Sequence, residues 1–301
     1  MSERGLRIKI YGVRGSYSPT KMSNTKIGVN TTCVYAEIGN FNLIFDAGSG
    51  VINCGKEIMQ RYSAQQNSVA NWKTHLFFTH LHIDHLNGFP YFPMLYSPQS
   101  EIHCFSPKIL DHSLPDVVQQ MINPPYFPVC YHELPCKFVF NQIKELNTIY
   151  FNNEGYEINS LPELQESGWK IKISCMRNLT HPKGGGFFYK METDSGISVV
   201  LATDTEGFIG GDQRLINFAK DADLLVHDAH YTPEEYPDFQ GFGHSTYEMA
   251  CEIANKAGVK KLLLTHHDPD RTDAALFNIE QKARELFPFT KIATEDMILE
   301  F

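Results

Sequence analysis

Short apolar runs bounded by turn residues open the chain. They predict strands over residues 6–11, 32–38 and 42–45, the last two joined by a Gly39-Asn40 turn signal. A helix is expected over 53–62, then a strand over 75–79. Residues 114–136 break this pattern. Five prolines and the aromatic run Pro124-Pro125-Tyr126-Phe127-Pro128 argue against a regular helix there and predict a structured flap or pocket wall, with a packing loop or dimer contact as the alternative. Strand-like runs resume at 170–176, 187–191 and 197–201, with Gly184-Gly185-Gly186 after the first. An α/β rhythm follows: strand 223–226, helix 245–257, strand 261–265, helix 273–286. Ser245-Thr246-Tyr247-Glu248 fits a capping box with Ser245 as N-cap, which places His244 just outside a helix N-terminus.

At 301 residues and 42% hydrophobic, the chain can bury a full core and falls within the range of one large domain or two small ones. Its 26 Lys and Arg against 35 Asp and Glu give a formal charge of −9, which disfavours a protein that coats long nucleic acids. A small anionic substrate remains compatible, because bound cations reverse the local field. The opening Met1-Ser2-Glu3-Arg4-Gly5 lacks the apolar segment of a signal peptide. No stretch approaches the roughly 18 apolar residues of a membrane span, so a cytoplasmic location is the expectation. Seven cysteines, an odd number with no close CxxC pair, read as buried or incidental thiols.

The chemistry concentrates in Thr79-His80-Leu81-His82-Ile83-Asp84-His85, directly after the apolar Leu76-Phe77-Phe78. Strand geometry puts His80 and His82 on one side, and a turn beyond them brings Asp84 and His85 toward the same point, so the segment offers imidazoles and a carboxylate to two adjacent cations. Taken alone it also reads as a His-rich loop that binds metal weakly. His181, Asp204 and His266 argue for the stronger reading, since each lies where a strand runs out and loops at strand ends hold the chemistry of layered α/β proteins. Asp46, opening Asp46-Ala47-Gly48-Ser49-Gly50, is expected to organise that loop or a ligand histidine, with plain turn capping as the alternative.

Together these residues resemble the metallo-β-lactamase superfamily. His80, His82, Asp84 and His85 match its HxHxDH signature, and His181, Asp204 and His266 match its later ligand positions. The resemblance covers nearly the whole chain and implies one α/β domain over 1–301, a four-layer αββα sandwich with a dimetal site at one edge of the two sheets. Gly12-Val13-Arg14-Gly15-Ser16, Asn30-Thr31-Thr32, the stretch from Asp223 to Tyr231 and Gly243-His244-Ser245-Thr246 point to the phosphodiesterase branch. That branch includes tRNA 3′-processing endonucleases, the carbon–phosphorus-lyase cyclic phosphodiesterase and bacterial cyclic-nucleotide phosphodiesterases. The resemblance implies that His80, His82 and His181 hold one metal, Asp84, His85 and His266 the other, and Asp204 bridges them, with hydroxide between the cations attacking phosphorus. Zinc is the first expectation and manganese the second, because nitrogen and oxygen ligands suit both.

His244 is expected to donate a proton to the leaving oxygen, with Asp228 as its carboxylate partner where the tRNA enzymes commonly have Glu; the plain alternative is a neighbour of a helix cap. Tyr126 and Phe127 are candidates for stacking a base, and His267 and Arg271 for contacting substrate. Arg271 equally suits an ion pair with a nearby acid, and Asp270 or Thr272 suits a cap of the last helix. The leading expectation is hydrolysis of a small cyclic phosphodiester such as a 3′,5′- or 2′,3′-cyclic nucleotide. The alternatives are a tRNA 3′-processing nuclease, for which no long basic, Gly-rich arm is found, and a lactamase or thioester hydrolase. Neither a membrane nor a stable large nucleic-acid partner is expected; a homodimer is, from the family and from the frequency of symmetric pairs.

Overall fold

The computed structural model describes residues 5–20, 25–64, 72–160, 168–208 and 210–301; residues 1–4, part of the segment read for a leader, lie outside these. Two compact units divide the chain, Met1–Ile143 with Thr294–Phe301, and Lys144–Ala293. No helix among the described residues is long and apolar enough to cross a membrane. All seven cysteines are thiols, buried except for the half-buried Cys130.

In the first unit, β1 (Arg7–Gly12), β2 (Cys33–Ile38), β3 (Phe41–Phe45), β4 (Trp72–Phe77), β5 (Ser100–Pro107), β6 (Lys137–Ile143) and the last strand, β15 (Ile298–Glu300), form a sheet in the order β15-β1-β2-β3-β4-β5-β6. Strands β3 to β6 run parallel, so the loops after β3 and β4 leave the same edge. Helix α1 (Val51–Ala64) buries Val51, Cys54 and Ile58, a helical stripe that packs with Ile44, Leu76, Phe92 and Ile102. The Gly48-Ser49-Gly50 turn lies against the histidine segment: a Cβ on Gly48 would sit 2.5 Å from the Asp84 carbonyl oxygen, so only glycine fits.

The proline-rich stretch departs from expectation over its first third. Leu114–Met121 is a helix, α2, whose Pro115 occupies the first turn, where a missing N–H costs nothing. The aromatic run beyond it is irregular, as predicted.

The second unit carries β7 (Thr148–Asn152), β8 (Gly155–Asn159), β9 (Ile171–Asn178), β10 (Gly186–Thr193), β11 (Ser198–Ala202), β12 (Leu224–Asp228), β13 (Leu262–Thr265) and β14 (Thr290–Ile292), ordered β14-β13-β12-β11-β10-β9-β7-β8. Helices α3 (Gln213–Phe218), α4 (Tyr236–Phe239), α5 (Tyr247–Ala257) and α6 (Asp273–Leu286) complete it. Strands β11 to β14 are parallel, and Leu224-Leu225-Val226 and Leu262-Leu263-Leu264 are buried throughout, the continuous apolar reading of strands covered on both faces. In register, Ala202 pairs with His227, and Asp228 with Thr265. Asp204, Asp228 and His266 therefore issue from the carboxyl ends of three adjacent parallel strands.

Helix α5 begins one residue later than the capping box predicts. Thr246 is the N-cap, accepting from the Met249 amide, whereas Ser245 donates its Oγ proton to the Thr205 carbonyl and its amide to Asp228. Thr272, as expected, caps the last helix by accepting from the Ala275 amide.

Candidate metal centre

In the first unit, Asp46 follows β3 directly. Its carboxylate accepts the Thr79 amide at 2.8 Å and the Thr79 hydroxyl at 2.9 Å, and Oδ2 lies 2.8 Å from His85 Nδ1. Of the roles anticipated for Asp46, this is the orienting of a candidate ligand histidine: it holds Thr79 at the head of the histidine segment and fixes His85 Nδ1, leaving His85 Nε2 to point onward. The His80 ring lies 4.4 Å from that of His82 and 4.3 Å from that of His85, and His85 Nε2 is 3.4 Å from Asp84 Oδ2. Asp84 also accepts the Ser16 amide at 2.9 Å, which ties the Gly12–Ser16 motif to the cluster. One detail differs from the sequence reading. Strand β4 ends at Phe77, so extended loop presents His80 and His82, and the turn beyond is a single 3₁₀ turn, Ile83–His85.

In the second unit, Asp204 Oδ1 sits 3.1 Å from His266 Nε2 and 3.9 Å from His181 Nε2, between two candidate ligands. His181 donates Nδ1–H to the Gly243 carbonyl at 3.0 Å, and His230 donates Nδ1–H to the His266 carbonyl at 2.9 Å. Each bond fixes a tautomer with Nε2 as the lone-pair nitrogen, the form that binds metal. Ligand atoms of His181, Asp204 and His244 all lie within 4.8 Å of one another, as do those of His230, His244 and His266. Buried imidazole and carboxylate donors without a thiol among them fit divalent cations.

The shorter carboxylate of Asp228 does reach His244: Oδ2 lies 2.7 Å from Nδ1. Oδ1 accepts the amides of His230 and Ser245 at 3.1 and 3.0 Å, so the carboxylate is held at both ends. Burial works to raise the Asp228 carboxyl, yet the His244 and His266 imidazoles offset this and hold it below its ordinary value. Burial pushes His181 down despite the pull of Asp204. Burial together with repulsion from His244 and His266 pushes His230 down to about 4.

The substrate-contact expectations are redistributed. Arg271 closes the ion pair that was its other reading, with its guanidinium 2.7 and 3.1 Å from the Glu235 carboxylate and donating to the His230 carbonyl. His267 is buried, with Nε2 donating to the Ala293 carbonyl at 3.1 Å. Phe127 packs against the first unit's core and edge-on to Tyr91, while Tyr126 is 81% exposed. Two residues went unassigned by sequence reasoning. His230 stacks on His244 at 4.7 Å, and its signal was the Asp-x-His spacing at the end of β12. Glu206, close behind Asp204, accepts the Tyr236 hydroxyl at 2.7 Å and the amides of Gly241 at 2.7 Å and Gly243 at 2.9 Å; no local pattern marks it.

A family model described as a beta-lactamase superfamily domain matches residues 42–267, a stretch that runs through both units. Ribonuclease Z of Gemmatimonas aurantiaca is 29% identical over 280 residues, 86% of either chain. Among solved structures, a diphosphatase from the PhnP family aligns with a TM-score of 0.65 at 13% identity, and the short form of human tRNase Z with 0.63 at 20%, each over 98% of both chains. Those two likenesses establish the fold. With the family match spanning most of the sequence, and two sheets with flanking helices carrying His and Asp at their strand ends, the chain belongs to the beta-lactamase superfamily and has the metallo-β-lactamase fold.

Proposed function

We propose that this protein is a dimetal phosphodiesterase for a small cyclic phosphodiester, a 3′,5′- or 2′,3′-cyclic nucleotide. His80, His82 and His181 would hold one cation, Asp84, His85 and His266 the other, with Asp204 shared. When bound, two divalent cations supply Lewis-acid stabilisation of the phosphoryl oxygens and lower the pKa of a water nucleophile. Zinc is the favoured metal and manganese the second. The observation that carries the reading is the His244–Asp228 pair at 2.7 Å. Donation of Nδ1–H to the buried carboxylate orients the ring and aims Nε2 outward, where it would supply a proton to an alkoxide leaving group, a step that cleavage of an alkyl phosphodiester requires. The −9 charge supports a small substrate over a folded RNA.

A second reading, tRNA 3′ processing, is favoured by the ribonuclease Z relative that matches over 86% of its length. One panel on metal-loaded protein separates the readings: cyclic mono- and dinucleotides, bis-p-nitrophenyl phosphate, precursor tRNA, nitrocefin and a glutathione thioester. Preferred turnover of a cyclic nucleotide supports the first reading, and site-specific cleavage of precursor tRNA the second. Turnover of nitrocefin or the thioester alone refutes both.

A further inference from the structure

Next to His244 the second unit presents a line of aromatic rings that the chemistry above does not use. The Tyr231 ring lies 6.0 Å from His244 and stacks on Phe239 at 4.9 Å with planes 9° apart; Phe242 then meets Phe239 edge-on at 5.8 Å. Tyr231 is buried, but Phe239 is 40% and Phe242 60% exposed, so the line runs from the proton donor out to solvent. Large aromatics left in water beside a polar site are costly unless something covers them. These rings are also held in place. Glu206 grips Tyr236 at the start of α4 and Gly241 and Gly243 on either side of Phe242, fixing both ends of the strap that bears Phe239, Phe242 and His244.

The geometry points to the Phe239–Phe242 strap as the subsite for the planar base of the substrate, in place of the Tyr126–Phe127 wall suggested by sequence. The inference rests on the phosphodiesterase reading for its orientation: with the scissile ester oxygen at His244 Nε2, the sugar of a nucleotide spans outward and its base meets the exposed ring faces. Aromatic faces tolerate any base, so the subsite confers preference for nucleotides over base-free phosphodiesters without strong discrimination among bases. Glu206 is a positioning residue here, acting through the strap it anchors.

The test is calorimetric binding of adenosine monophosphate and of ribose 5-phosphate to the purified full chain, repeated with Phe242→Ala and Phe242→Trp. Phe242 is exposed, so neither variant threatens the fold, and a melting curve verifies this. The expected result is that wild-type protein binds adenosine monophosphate about tenfold more tightly than ribose 5-phosphate, the scale of a single base–aromatic stack. Phe242→Ala should abolish that difference and Phe242→Trp should keep or enlarge it. Equal affinities in the wild type, or an adenosine preference unchanged by Phe242→Ala, overturn the subsite. Because binding is read without turnover, failure of every phosphodiester in the hydrolysis panel would overturn the functional reading while leaving this result to stand or fall by itself.

Discussion

Gly243→Ala and Gly241→Ala make a matched pair that tests how the second unit holds its ligands. Both glycines have left-handed backbones, φ +88° and +90°, so alanine at either pays a conformational penalty of about 1–2 kcal/mol. Their surroundings differ. A Cβ at Gly241 meets nothing within 4 Å, whereas one at Gly243 would lie 2.2 Å from Pro182 Cδ and 2.5 Å from His181 Nδ1. Ordinary carbon contacts begin near ~3.5 Å, so relief requires a displacement of about 1 Å in the His181 segment, in the strap, or in both. Either breaks the 3.0 Å bond that sets the His181 tautomer. Disturbing such an outer bond weakens metal binding by roughly 10–100-fold, and a 1 Å misplacement lowers turnover on the order of 10²-fold. Thermal melting measures the shared backbone penalty, and chelator competition measures metal affinity. Gly243→Ala should lose metal affinity and Gly241→Ala should not. Equal losses in the two variants would mean that the Gly243 contact does not position His181.

The remaining predictions address other links. His244→Ala should keep the metal content and lower kcat on alkyl-leaving-group phosphodiesters by roughly 10²–10⁴, with a smaller loss on p-nitrophenyl esters, whose leaving group needs little protonation; a stripped metal or equal losses would overturn the proton-donor role. Asp228→Asn should reproduce part of that defect in kcat on the same alkyl phosphodiesters, because the carboxylate that orients the His244 ring through Nδ1 is gone, and unchanged turnover would refute the pairing. Asp204→Asn should reduce the expected two metals per chain, since one carboxylate oxygen serves both His266 and His181; full metal content by elemental analysis would contradict this. His75, buried in β4 beside His103, is pushed down to about 3 by burial and by its neighbour's charge. Its folded pKa is depressed, so the unfolded chain binds the proton first and stability falls as pH drops from about 6.5 toward 3, by about 2 kcal/mol at pH 5. His75→Phe should flatten that acid limb in urea titrations at pH 7.5 and pH 5, and parallel losses in both proteins would refute it. Phe127→Ala should destabilise the fold by about 1–3 kcal/mol, whereas Tyr126→Ala should stay within about 0.5 kcal/mol, both read from melting curves.

What was legible in the sequence is what local pattern encodes. The all-apolar cores of β12 and β13 announce strands covered on both faces, and the polar residue ending each run announces the site. Strand β5 was illegible because Glu101 and His103 interrupt it; their carboxylate–imidazole contact at 2.8 Å satisfies both within the buried strand, something no sequence pattern displays. Helix α2 was hidden by Pro115, whose meaning depends on whether it falls in the first turn or the interior. The work of Glu206 was illegible for a further reason. Its three donors arrive from 30 to 37 residues away, so its role exists only once the strap has folded back.

Asp46, Asp204 and His266 share a feature that connects strand geometry to chemistry. All three have positive φ, +62°, +55° and +57°, a region that costs a side-chain-bearing residue about 1–2 kcal/mol. Each lies one or two residues beyond a strand, where the chain must leave the pleat. A left-handed residue there reverses the backbone within a single step and lets the side chain project from the sheet edge. Each is also restrained by hydrogen bonds that the reversal makes available. Asp46 donates its amide to Phe77 and accepts twice from Thr79, the Asp204 carbonyl accepts from Asn178 Nδ2 at 2.7 Å, and the His266 carbonyl accepts from His230 at 2.9 Å. Hydrogen bonds worth about 1 kcal/mol each offset a penalty of this size. The strain is thus balanced locally, and the polar partners Thr79, Asn178 and His230 are needed to keep the candidate ligands aimed, even where they touch no metal themselves.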